Sequence, residues 1–65
     1  MGLKPRAVVV VDIESGRVVK RYATATEAAE EEFCRYETIR DRCDHKVDES
    51  RDYRTFRWAE EVEGQ

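Results

Sequence analysis

The run Ala7-Val-Val-Val-Val-Asp-Ile13 constrains this chain more than any other segment. β-Branched side chains are stiff at χ1 and pack well on a pleated surface, so this density reads as a strand. Its apolar residues run on without polar alternation, which places the strand centrally, buried on both faces for part of its length. Glu14-Ser15-Gly16-Arg17 follows as the turn, with Gly16 supplying a positive φ at little steric cost. Val18-Val-Lys-Arg-Tyr-Ala23 is then the second strand of a hairpin. Lys20 and Tyr22 alternate there with Val19, Arg21 and Ala23, so one face is expected to be partly wet.

The next segment changes period. Thr24 has the chemistry of an N-cap, since its hydroxyl can accept from an orphan backbone N–H. Glu27, three residues on, can reach back to the Thr24 N–H and close a capping box. Ala25, Ala28, Ala29 and Phe33 fall on one stripe of a helix running from Ala25 to Phe33 or Cys34. A corner is expected near Cys34-Arg35-Tyr36, although no Gly marks it, and a second helix from Glu37 to Asp44. Tyr36, Ile39 and Cys43, at i, i+3 and i+7, form its inward stripe. Asp44 to Arg54 is polar apart from Val47 and Tyr53 and reads as an exposed loop. Thr55-Phe-Arg-Trp-Ala59 alternates, with Phe56 and Trp58 on one face and Thr55 and Arg57 on the other, so it reads as a third strand. Glu60 to Gln65 is expected to be a frayed acidic tail. The pattern predicts an α+β fold in one small domain over residues 1–65, with its ordered core at about 6–60. Its order is ββααβ: a β-hairpin, a helix-turn-helix-like pair and a third antiparallel strand.

Sixty-five residues leave room for only a handful of core side chains, and 42% charged residues imply a heavily solvated surface. No run approaches the roughly 18 apolar residues of a membrane span. The basic segment Met-Gly-Leu-Lys-Pro-Arg precedes an apolar run too short for a secretory signal, so a cytoplasmic address and no membrane partner are expected. Cys34, Cys43 and His45, even with Asp41 and Asp44, lack a Cys-x-x-Cys spacing and a fourth ligand. Two reduced cysteines acting as small core residues, without metal or cofactor, is the expectation. No Gly-rich phosphate loop occurs, and Ser15 and Ser50 have no histidine near them in sequence. The chain therefore reads as no enzyme, with no catalytic residues and no small-molecule substrate.

A compact helix pair with a small-residue seam is the usual frame of a helix-turn-helix reader. The net charge of −3 counts against a nucleic-acid partner, but its distribution is uneven. Residues 23–34 carry four Glu and no base, and 58–65 carry three Glu, whereas residues 1–22 hold five Lys/Arg against two acids. With Ile39 and Cys43 buried, the outer face of the second helix is centred on Asp41, with Glu37, Asp44 and His45 around it. Carboxylates near phosphates count against DNA binding. In a DNA reading, Arg35, Arg40, Arg42 and Lys46 contact phosphates of a duplex, with Thr38 and Tyr36 near base edges or sugar. Lys20 and Arg21 on the hairpin add a second backbone contact, and Arg51 and Arg54 a third. The competing reading is a protein-interaction or homodimerisation module that uses the acidic first helix (Glu27, Glu30, Glu31, Glu32), the acidic tail and a sheet edge.

Four segments in order carry a resemblance: Val-Val-Asp-Ile-Glu-Ser-Gly-Arg-Val-Val, Tyr-Ala-Thr-Ala-Thr-Glu-Ala-Ala, Glu-Thr-Ile-Arg-Asp-Arg-Cys and Thr-Phe-Arg-Trp-Ala-Glu-Glu. Together they resemble the small modular DNA-binding repeat associated with intron-encoded and phage homing endonucleases, over roughly residues 8 to 61. The resemblance implies a hairpin with a Gly turn, a Ser/Thr-x-x-Glu-Ala-Ala helix, a Thr-Ile helix and a closing aromatic strand. It further implies that the helix pair is a helix-turn-helix lending target-site affinity to a nuclease, in a phage or prophage setting. The motifs are short and degenerate. Where that family puts a Leu-Gly pair at the end of the first helix, this chain has Glu32 and Phe33. It carries no nuclease segment, so no cleavage chemistry transfers.

Overall fold

A computed structural model describes residues 6–63. The basic segment over residues 1–5 and the last two residues of the acidic tail lie outside the described residues. Strand β1 (Val8–Asp12) runs through the middle of a three-stranded antiparallel sheet of order β2-β1-β3, flanked by β2 (Val18–Tyr22) and β3 (Arg54–Trp58). Val8 pairs with Tyr22 on one side and Trp58 on the other, and Val10 with Lys20 and Phe56. These positions share one face by the two-residue period of a strand, and that face carries the helices. Val9, on the opposite face, is also fully buried, as the continuous valine run requires.

The hairpin is closed by Asp12. Its carboxylate accepts the backbone N–H groups of Glu14 (2.9 Å) and Ser15 (3.1 Å), while its carbonyl accepts from Gly16 at 2.7 Å. Gly16 takes φ +76 at the point of return. The register slips between Val10 and Val11, whose partners are Lys20 and Val18, so Val19 is the extra residue of a bulge. Val18 to Arg21 are all exposed, wetter than simple alternation predicts.

Helix α1 (Ala25–Glu31) is shorter than its apolar stripe suggests. Thr24 Oγ1 accepts from Glu27 N at 3.0 Å, as expected of the cap. The Glu27 carboxylate instead accepts from Ala23 N at 2.8 Å, one residue before the position a capping box uses. Ala25, Ala28 and Ala29 are buried. Phe33 is not: it lies beyond the helix, 95% exposed, at φ +58. Cys34 N donates to Ala29 O at 2.9 Å, the six-to-one bond of a Schellman cap, which requires a left-handed residue at Phe33. The absent Gly is thus replaced in conformation though not in chemistry. Cys34 is also exposed rather than a core residue.

Helix α2 (Tyr36–Cys43) buries Ile39 and Cys43 against the sheet, while Tyr36 is more exposed than an inward stripe allows. It ends like α1. Lys46 N donates to Asp41 O (2.9 Å) and His45 N to Arg42 O (3.1 Å), with His45 at φ +62. Between α2 and β3 the chain is pinned by its acids rather than freely solvated. Asp44 accepts from Trp58 Nε1 at 2.8 Å, Glu49 from Arg57 Nη2 at 2.6 Å, and Asp52 from Arg42 Nη1 at 2.6 Å. Glu60 to Glu63, expected to fray, belong to a short helix α3 (Ala59–Glu63). It is tied by Arg6–Glu60 (3.1 Å), His45–Glu61 (2.7 Å) and Arg21–Glu63 (3.0 Å). The core joins Val8, Val10, Tyr22, Phe56 and Trp58 of the sheet to Ala25, Ala28, Ala29, Ile39 and Cys43 of the helices. Among the described residues no helix is long and apolar enough to cross a membrane.

Candidate nucleic-acid interface

Ile39 and Cys43 set the orientation of α2. Because they face the sheet, Arg35, Glu37, Thr38 and Arg40 face solvent and Tyr36 is partly exposed. Arg35 occupies the N-cap position with extended backbone and makes no side-chain cap bond, so its guanidinium is not used by the helix. The Arg40 guanidinium lies 5.8 Å from the Tyr36 ring centroid, one turn away, where the ring quadrupole attracts it. Neither Arg35 nor Arg40 forms an ion pair among the described residues, and the i, i+3 pair of Glu37 with Arg40 does not form.

The acids of α2 are less prominent than a helical wheel suggests. Asp44, though exposed, accepts from the Trp58 indole, His45 pairs with Glu61, and Asp41 is half-buried, which leaves Glu37 as the exposed carboxylate with no side-chain partner among the described residues. Arg35, Tyr36, Thr38 and Arg40 are each exposed, but by helical period Arg35 and Thr38 lie on one flank of α2 and Tyr36 and Arg40 on the other, with Glu37 and Asp41 between them and Lys46 exposed just past the C-terminal end.

The other candidates sit elsewhere. Arg42 is drawn away from solvent by Asp52 at 2.6 Å and Glu49 at 3.7 Å, so it organises the fold. Arg21 pairs with Val9 and so belongs to the sheet face opposite α1 and α2, where Glu63 of α3 holds it. Lys20 shares the helix-bearing face. Its ammonium lies 5.1 Å from the Tyr22 ring centroid, and hydrogen bonding to Tyr22 raises its pKa. Arg51 and Arg54 are exposed on the loop and at the start of β3. The hairpin and α2 consequently do not form a single basic face.

Sequence reasoning missed two features. The first is the Glu49–Arg57–Arg42–Asp52 network. Burial acts to raise the Glu49 pKa, but hydrogen bonds from Arg57 and Thr55 and the charges of Arg57 and Arg42 outweigh it and leave it lowered. The second is the exposure of Phe33, for which the missing Gly at the corner was the available signal. Compared with protein-family models, with curated proteins and with solved structures, the chain shows no match.

Proposed function

We propose that this chain is a small, non-catalytic module that binds duplex DNA through the outward face of α2. The observation that carries the reading is the pair of guanidiniums without an ion-pair partner among the described residues, Arg35 beside Thr38 on one flank of α2 and Arg40 beside Tyr36 on the other, on a helix whose inner side is locked by Ile39 and Cys43. Arginine and threonine are suited to base edges and phosphates alike, and a rigidly seated helix matches the width of a major groove. The segment order that resembles the nuclease-associated repeat supports the same reading and suggests a phage or prophage setting. The net charge of −3 predicts modest affinity, concentrated on α2 and opposed by the glutamates of α1 and α3.

A labelled-duplex anisotropy titration tests this. Binding should weaken steeply from about 50 to 200 mM salt, and Arg35→Ala with Arg40→Ala should reduce the salt slope by about one for each phosphate no longer neutralised. Absence of binding at low salt removes the reading.

One observation favours a second reading, a protein-interaction module. The outer edge of β2 is unpaired among the described residues, and Val18 and Val19 on it are 41% and 46% exposed. Antiparallel pairing of two copies about the strand centre would set Lys20 against its own counterpart, which disfavours a symmetric dimer there. Sedimentation of the purified chain across concentration separates the two readings.

A further inference from the structure

Phe33 is the least explicable residue in the fold if the fold alone is considered. It occupies the left-handed position of the α1 cap, where Gly is favoured and a bulky side chain is strained, and its ring is 95% exposed. Backbone preference and burial therefore both argue against phenylalanine at this position. The ring projects at the corner that leads into α2, two residues before Arg35 and three before Tyr36. An aromatic knob two residues from the Arg35 guanidinium complements a surface that alternates apolar groups with phosphates. The major groove of duplex DNA is such a surface, because the thymine 5-methyl is its apolar feature between phosphate walls. Glu30 and Glu31, exposed in the last turn of α1, disfavour phosphate on that side and leave the α2 side of the corner as the one open to a duplex.

We propose that Phe33 is a DNA-contacting residue that packs on thymine methyl groups in the major groove beside the α2 footprint. This rests on the reading of α2 as a DNA-binding face. It makes the corner a determinant of preference for A·T-rich sites, added to the polar contacts of Arg35, Thr38 and Arg40. It also accounts for a strained, exposed ring where glycine would serve the fold better.

The test compares the chain with its Phe33→Gly variant on two short duplexes, one of alternating dA and dT and one in which dU replaces dT. Thymine and uracil present the same hydrogen-bonding groups and differ only by the methyl. Wild type should bind the thymine duplex about fourfold more tightly for each methyl it covers. Phe33→Gly should weaken binding to the thymine duplex about tenfold. It should bind both duplexes equally while melting at a higher temperature than wild type. Higher stability with a thymine preference unchanged from wild type overturns the proposal and leaves the α2 reading standing. Failure of wild type to bind either duplex at low salt removes both. Concentration-dependent association of wild type that Phe33→Gly abolishes, without effect on DNA affinity, assigns the ring to an interface between copies and also overturns the proposal.

Discussion

The Arg57 guanidinium donates to both Glu49 carboxylate oxygens, at 2.6 and 3.1 Å, and so ties the segment after α2 to β3. The same Arg57 Nη1 donates to Arg42 O at 2.8 Å, linking the end of α2 to the same node. The Glu49 and Arg57 side chains are only 13% and 17% exposed, so this pair is far less screened than a surface ion pair. Glu49→Gln leaves Arg57 without its counter-charge and should cost about 2 kcal/mol by chemical denaturation. Because the Glu49 pKa is lowered in the folded protein, its contribution is fully present above the unfolded value of about 4.3. It fades as pH falls through the folded value. Wild-type stability should thus hold at neutral pH and decline in acid, and Glu49→Gln should remove part of that acid slope.

Both helix caps place a residue with a side chain where glycine is favoured. Phe33→Gly relieves a left-handed strain of about 1 kcal/mol and gives up almost no buried surface, so thermal unfolding should shift upward by several degrees. His45→Gly should gain less, because it also deletes the 2.7 Å pairing with Glu61 that helps to seat α3. Equal gains at both sites would show that the His45–Glu61 pairing contributes nothing.

Thr24→Ala removes the hydroxyl that satisfies Glu27 N and should cost about 1 kcal/mol. Thr24→Ser should retain most of that stability, and circular-dichroism melts of the two variants check the cap directly.

The two cysteines should behave differently. Cys34 is exposed, whereas burial in the core that holds Ile39 and Phe56 pushes the Cys43 thiol up to about 12, with the Asp44 charge adding to the shift. Under native conditions a thiol-reactive dye should label one cysteine quickly, and mass mapping should place it at Cys34. Cys43 should react only on unfolding, so its labelling rate reports global opening. Simultaneous labelling would contradict the packing of α2 on the sheet.

The fold was legible where local physics and tertiary packing agree. The valine run, Gly16, the Thr24 cap and the Phe56/Trp58 alternation each specify one local structure, and β1, β2, α1 and β3 follow from them. Legibility ended where apolar residues had two outlets. Phe33 matched the helical period, yet α1 closes early because Cys34 N bonds Ala29 O, which turns the ring to water. Charge carried the least information about placement. Arg42 looks like Arg40 in sequence, and only the folding-back of Glu49 and Asp52 shows that one is structural and the other free. For the same reason Arg21, on the sheet face opposite Lys20, could not be separated from it by composition.

The most direct test of the account is an amide chemical-shift titration of the labelled chain with a short duplex at low salt. Shifts should concentrate from Phe33 to Arg40, with Val9, Arg21 and the residues of α3 nearly unmoved, and should reverse on addition of salt. Shifts confined to Val18–Tyr22, or none at all, would contradict the assignment of α2 as the DNA-binding face.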